Sequence, residues 1–277
     1  MRVSACDEYL ALQANAWSFL AADEANHTVL LSSLQAAIDA IGTGETPPDP
    51  CVARLAQDDR GLVALGLFAR ENWLLSTGPA DALAAIGAQS VAQQFAGVAG
   101  PGASVAAFMR GHGGRFEEHA RLPLMRLERP LRECAFDGRL QPAGSLERDL
   151  VLEWAEAFRS EARMPDPAER FRAAVERGLA QGVYYLWQST AGKSLCLAGG
   201  RLIAPTSARI GPVYTPPPLR GRGYGQAAVT ALAAHLQRRG ARTVFLFTDA
   251  ANPTSNALYL RIGFRLAGEH RHMLLKG

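Results

Sequence analysis

The chain of 277 residues is 48% apolar and 20% charged, with 27 Gly and 16 Pro, which suits roughly two domains, each burying its own core. That composition excludes a disordered tail, a collagen-like chain and a disulfide-stapled miniprotein. Residues 1–128 hold 8 Arg and no Lys against 14 carboxylates, a net of −6, whereas residues 129–277 hold 21 basic against 12 acidic side chains, a net of +9.

Helical spacing of Leu10, Ala14, Trp17 and Ala21 predicts a first helix over Glu8–Ala22. This apolar stretch contains Gln13 and Asn15 and follows Asp7 and Glu8, so it is not read as a signal peptide. No run approaches the ~18 uncharged apolar residues of a membrane span, and the cytoplasm is the expected address, with no membrane partner. Four short apolar runs follow and read as strands: Thr28–Leu31, Val52–Ala56, Leu62–Phe68 and Trp73–Leu75. Turn-rich segments at Gly42–Pro50 and Asp58–Gly61 separate them. An Ala-rich helix is expected from Pro79, with breaks at Gly97–Gly102, and Arg121–Leu127 reads as another strand. The four cysteines, Cys6, Cys51, Cys134 and Cys196, are scattered without a Cys-x-x-Cys. They read as reduced thiols, offering neither a zinc ribbon nor a redox pair, and no metal site is expected.

Pro130, Gly138, Pro142 and Gly144 mark a boundary where the charge also changes sign, dividing the chain into 1–128 and 129–277. Two helices, Leu146–Ala162 and Pro167–Ala180, then precede three strands, Val183–Gln188, Ser194–Ile203 and Ala208–Thr215. From Arg177 to Thr248 there are nine Arg or Lys and no carboxylate. Either an anionic partner or a solvated basic face accounts for such a stretch.

The chemistry concentrates between Ile210 and Phe264. A strand ends at Val213-Tyr214-Thr215, Pro216-Pro217-Pro218 removes three ladder donors, and Arg220-Gly221-Arg222-Gly223-Tyr224-Gly225 opens a helix with Ala228, Leu232 and Leu236 on one face. The apolar strand Thr243–Thr248 should be buried on both faces. Asn252-Pro253 reads as an N-cap followed by proline at the first helical position, and Gly263 as a stop. Glycines between strand and helix let backbone N–H groups approach an anion, which the helix dipole, Arg220 and Arg222 would favour. The spacing fits neither a P-loop, which needs Lys-Ser/Thr where Gln226-Ala227 stand, nor the Gly-x-Gly-x-x-Gly dinucleotide fingerprint. Prolines after Thr215 would let its strand part from a neighbour, opening a slot for an extended amide. A pyrophosphate with an amide-rich arm describes coenzyme A.

Arg220-x-x-Gly223-x-Gly225 resembles the acyl-CoA loop of the GCN5-related N-acetyltransferases (GNATs). The run from Asn252 through Leu258-Tyr259 to Gly263-Phe264 is similar to that family's last conserved segment. The resemblance covers residues 138–277; residues 1–128 resemble, more loosely, a degenerate acetyltransferase-like domain found ahead of the active one in some bacterial members. It implies a mixed α/β fold, an α+β mixed sheet in two tandem GNAT-like units, the C-terminal one carrying the acyl-CoA loop. It further implies that backbone groups of Val213, Tyr214 and Thr215 hold the pantetheine and polarise the thioester of acetyl-CoA. N–H groups from Gly221 to Gln226, through Arg222, Tyr224 and Gly225, would cradle the pyrophosphate. Asn252 would meet the pantetheine arm, besides any capping role. Tyr259 would be the general acid for the leaving thiolate, although the residue type also suits an aromatic core position.

Pro218 stands where many members have Glu, so the base that deprotonates an amine acceptor is a water or a remoter carboxylate, Glu153, Glu156 or Asp249. His270 and His272 alternate on a terminal strand, so that one could face the cleft, with surface positions the first expectation. The function expected is acetyl transfer from acetyl-CoA to a primary amine. The alternatives are a non-catalytic acyl-CoA-binding sensor and, least, a nucleic-acid binder. Against nucleic acid, the basic half lacks a recognition helix and an interleaved aromatic pattern.

Overall fold

The structure is a computed structural model that describes residues 1–128 and 137–276. Pro130 and Cys134 lie outside the described residues. Two compact units form: Met1–Met125 with Thr248–Pro253 and Leu266–Gly277, and Arg126–Phe247 with Thr254–Arg265. The units are thus not two unbroken halves of the chain.

The first unit contains strands β1 (Arg2–Cys6), β2 (Val52–Asp58), β3 (Gly61–Ala69), β4 (Asn72–Leu75), β5 (Gly97–Pro101) and β6 (Arg115–Leu127), with helices α1 (Tyr9–Ala21), α2 (Thr28–Gly42), α3 (Ala80–Gln89) and α4 (Gly102–His112). The last strand of the chain, β12 (Phe264–Lys276), lies beside β5, and the sheet order is β1-β2-β3-β4-β5-β12-β6. Trp73, Leu83, Ile86, Val98 and Phe108 fill its core. The expected strand at Thr28–Leu31 is instead the first turn of α2. Leu30, Leu31, Leu34 and Ala37 are buried there at helical intervals, and a short apolar run is ambiguous until its burial is known. Gly97–Pro101, expected as a break, is strand β5 between two neighbours. A Cβ on Gly97 would lie 2.4 Å from the Met273 carbonyl, so glycine there serves close strand approach.

The second unit contains β7 (Arg139–Pro142), α5 (Arg148–Glu161), α6 (Ala168–Ala180), β8 (Tyr184–Gln188), β9 (Ser194–Ala204), β10 (Ser207–Tyr214), α7 (Tyr224–Arg238), β11 (Thr243–Phe247) and most of α8 (Pro253–Ile262). Its sheet runs β11-β10-β9-β8-β7, with β10 and β11 parallel and the remaining pairs antiparallel. Ala228, Leu232 and Leu236 of α7 are fully buried, and each leucine so buried stabilises the fold by ~1.5–3 kcal/mol. Val244, Phe245 and Leu246 are consecutive and buried, as a strand covered on both faces requires. Val151, Trp154, Leu186, Leu197 and Tyr214 form the core beneath α5. Among the described residues no helix is long and apolar enough to cross a membrane.

Candidate active site

β10 and β11 pair in register from Ser207 opposite Thr243 to Ile210 opposite Leu246. There the pairing stops. β10 keeps its contact with β9, placing Val213 opposite Ala198 and Tyr214 opposite Leu197 after a register shift between Ile210 and Val213. Pro212 and Pro216–Pro218 have no ladder donor to offer, so the sequence itself ends the pairing here.

The chain then makes one tight turn, Pro217–Leu219, with Leu219 N–H donating to the Pro216 carbonyl at 2.8 Å. Gly221 and Gly223 follow with φ of +76° and +81°, and Gly223 is the N-cap of α7. A side chain at such angles is strained, so glycine sets the direction in which α7 departs. The first intrahelical bond, from Ala227 N–H to the Gly223 carbonyl, is 3.0 Å long. The N–H groups of the first helical turn and the helix dipole therefore face the exposed Arg222 and the glycine turn, an arrangement suited to an anion.

Beneath the strand end lies a small polar cluster. The thiol of Cys196, on β9, donates to the Leu197 carbonyl at 3.4 Å and neighbours Thr215 and Tyr214, and burial pushes it up to about 12. Tyr259, on α8, is buried at 8% exposure, with its ring edge-on to Phe264 at 6.0 Å between centroids. Burial first, and the neighbouring Cys196 second, raise its phenol above the ordinary value, so it is a proton donor over the whole neutral range. A Cβ on Gly225 would sit 3.5 Å from Thr215 Oγ1 and 3.8 Å from Leu258 Cδ1. Thr215, Gly225, Cys196 and the Leu258–Tyr259 pair thus converge where β10 leaves β11.

Residues 191–273 match the FR47-like protein family. Similar solved structures span nearly the whole chain. A GNAT-family acetyltransferase from Colwellia psychrerythraea is 14% identical over all of both chains, with a TM-score of 0.64. A GCN5-related N-acetyltransferase from Sphaerobacter thermophilus is 19% identical over 98% of this chain and 95% of its own, at 0.61. A tandem GNAT protein from the clavulanic acid biosynthesis pathway is 12% identical over 99% and 98%, at 0.59. The fold is that of the tandem GNAT proteins. No curated protein matches the sequence.

In this GNAT frame the expected site residues separate into groups. Val213, Tyr214, Thr215, the segment Arg220–Gln226 and Tyr259 fall in the second unit, whereas Asn252 falls in Thr248–Pro253, which clusters with the first. Asn252 is exposed, and its N–H donates to the Asp249 carbonyl at 3.0 Å. Arg220 has partners within the chain. Its Nε donates to the Thr215 carbonyl at 2.8 Å, its Nη2 donates to both oxygens of Glu161 at 2.9 and 2.7 Å, and its guanidinium lies 5.6 Å from the Tyr214 ring centroid. Tyr214 donates to the same carboxylate at 3.2 Å. Arg220 braces the strand end against the loop.

The carboxylates named as remote bases are otherwise engaged or exposed. Glu156 forms two hydrogen bonds with Arg159, which hold its carboxyl below the usual range. Asp249 accepts from the Ala251 N–H at 2.8 Å, and Glu153 is exposed. His270 is not on the surface: it is buried at 4% exposure, on β12 opposite Pro101 of β5. His272 bonds Asn72 Oδ1 at 2.9 Å. Strand β12 pairs with β5 on that side, so both histidines serve the first unit. Glu161 and Cys196 are the residues that sequence reasoning missed. Glu161 is seven residues, or two helical turns, beyond Trp154, and Trp154 packs 6.5 Å from the Tyr214 ring. An acidic residue in step with a buried aromatic was the available signal.

Proposed function

We propose that the second unit transfers an acetyl group from acetyl-CoA to an amine by direct attack. The observation that carries this reading is the end of β10–β11 pairing at Ile210, immediately before a loop whose left-handed glycines open α7. A strand edge parted from its neighbour suits an amide-rich arm, and a glycine-capped helix N-terminus suits a pyrophosphate. In this reading the backbone of Val213, Tyr214 and Thr215 lines the pantetheine, and N–H groups from Gly221 to Gln226 take the pyrophosphate. Strand N–H groups stabilise the oxyanion as the amine attacks. The C–S bond then breaks, the Tyr259 hydroxyl gives its proton to the departing sulfur, and the amine proton leaves through water. Tyr259 regains its proton from solvent.

In the first unit the corresponding strand-to-helix turn is only Ser76–Pro79, with no Arg or Gly-x-Gly. One acetyl-CoA per chain is therefore expected. Calorimetry with acetyl-CoA, followed by a panel of amines, peptides and aminoglycosides monitored by release of free CoA, tests the whole reading. Binding at one site with amine-dependent release supports it. Binding without release toward any amine supports a sensor instead, and absence of binding removes the acyl-CoA assignment altogether.

A further inference from the structure

The pairing of β1 with β2 brings together two cysteines that are 45 residues apart in sequence. Cys6 ends β1 opposite Ala53, and Cys51 immediately precedes Val52, the first residue of β2. The Cys51 thiol donates to the Cys6 carbonyl at 3.9 Å, and the Cys6 thiol donates to the Glu8 carbonyl at 3.5 Å. Both cysteines are free thiols in the structure, as the sequence reading expects. A cavity of about 380 Å³, lined by Asp7, Tyr9 and Thr46–Cys51, opens at Cys51, and Cys6, next to the lining residue Asp7, is half-buried where Cys51 is buried.

We propose that Cys6 and Cys51 are a thiol–disulfide site that closes on a low-molecular-weight disulfide such as oxidised glutathione. The half-exposed Cys6 attacks first: its thiolate displaces one glutathione thiolate and leaves Cys6 in a mixed disulfide. Cys51 then loses its proton and attacks the Cys6 sulfur, displacing the second glutathione thiolate and forming the Cys6–Cys51 bond. Two protein thiols are oxidised and one glutathione disulfide is reduced to two thiols, so the electrons balance. Burial pushes the Cys51 thiol up to about 12, with the Cys6 thiol adding to the effect. Capping Cys6 removes that second influence and leaves burial together with the Asp7 and Glu8 carboxylates, which also raise the thiol, so the second step is the slow one.

The site also has a structural consequence. β1 is the terminal strand of its unit's sheet order, with β2 as its neighbour. A bridge from the end of β1 to the start of β2 would pin that strand where an edge frays most easily.

The test uses the reduced full chain with oxidised glutathione at pH 7 and pH 8, followed by tryptic mass mapping. Expected is a Cys6–Cys51 linked peptide, preceded by glutathione on Cys6, with closure about tenfold faster per pH unit because the thiolate is the attacking form. Cys51→Ser should stop at the mixed disulfide on Cys6, and in wild-type protein hydrogen exchange of Arg2–Cys6 should slow after closure. Linkage through Cys134 or Cys196, or a stable Cys6 adduct that never closes at pH 8, would overturn the proposal.

Discussion

Gly223 and Gly225 stand two residues apart in the same loop, but the structure gives them different roles, and alanine at each position separates those roles. Gly223 sits at φ +81° and ψ 1°, where an L-residue costs roughly 1–2 kcal/mol. Gly225 has no such angle, and its added Cβ would meet Thr215 Oγ1 and Leu258 Cδ1 at 3.5 and 3.8 Å, which is ordinary contact. Alanine inside a helix is favoured over glycine by up to ~1 kcal/mol. Gly223→Ala should therefore lower the stability of the second unit, and Gly225→Ala should raise it or leave it unchanged, a separation of about 2 kcal/mol between the variants. The assay is urea unfolding followed by circular dichroism, reading the transition that acetyl-CoA shifts. In calorimetry, Gly223→Ala should weaken acetyl-CoA at least about tenfold, because realigning the helix start misdirects its N–H groups. Gly225→Ala should stay within about threefold. Equal unfolding midpoints and equal affinities for the two variants would refute the left-handed cap as the organiser of the site.

Tyr259→Phe keeps the ring against Phe264 and removes the proton donor; turnover should fall by ~10²–10⁴ with acetyl-CoA affinity retained, and turnover within threefold of wild type would make Tyr259 a packing residue. Glu161→Ala should weaken acetyl-CoA by about two- to fivefold while changing stability by under ~1 kcal/mol, since the Arg220 pair is half exposed and acts by holding the Thr215 carbonyl; tighter binding would instead mean that Arg220 is freed to meet phosphate. His27 is 1% exposed, with Nδ1 2.9 Å from the Leu20 carbonyl and Nε2 accepting from Thr77 N–H at 3.0 Å, and burial lowers its pKa below 6.5. The folded state thus resists a proton that the unfolded chain accepts. Stability is full above pH 6.5 and falls as the pH drops below it, by at most ~1.4 kcal/mol per pH unit from this group. Urea midpoints at pH 7.5 and 5.5 should differ less in His27→Gln than in wild type.

The second unit's β10–loop–α7–β11 segment was legible because its signals are local. Proline removes ladder donors where it stands, glycine supplies φ > 0 where it stands, and Ala228, Leu232 and Leu236 repeat at the helical period. Thr28–Leu31 misled because four apolar residues in a row satisfy a strand and a buried helix turn equally. Glu161 and the Cys6–Cys51 pair were invisible for another reason. Their partners lie 59 and 45 residues away in sequence, and only tertiary packing of α5 and register of β1 on β2 bring them close. His270 was misplaced because nothing in its own neighbourhood says that the last strand is covered by β5.

One strand-to-helix connection from each unit, compared, shows why the proposed site falls in the second. In the first unit, β4 passes to α3 through Ser76–Pro79, and the turn satisfies itself: Ser76 N–H donates to the Leu65 carbonyl at 2.9 Å, Leu65 N–H donates to Ser76 Oγ at 2.8 Å, and Thr77 N–H donates to His27. A Cβ on Gly78 would lie 2.6 Å from the Val63 carbonyl, so the turn is pressed against β3. The Ser76 and Thr77 donors are held by the protein's own groups, and a ligand taking the Thr77 N–H would have to displace a buried histidine, leaving polar groups unpaired at a cost of ~1–3 kcal/mol each. In the second unit the same topology is lengthened to the residues 215–223, parted from β11 beyond Ile210, and capped by glycine. The protein's own brace, Arg220 on Glu161 and Thr215, holds this longer connection from its side chains. In the proposed reading, an anion completes the helix N-terminus.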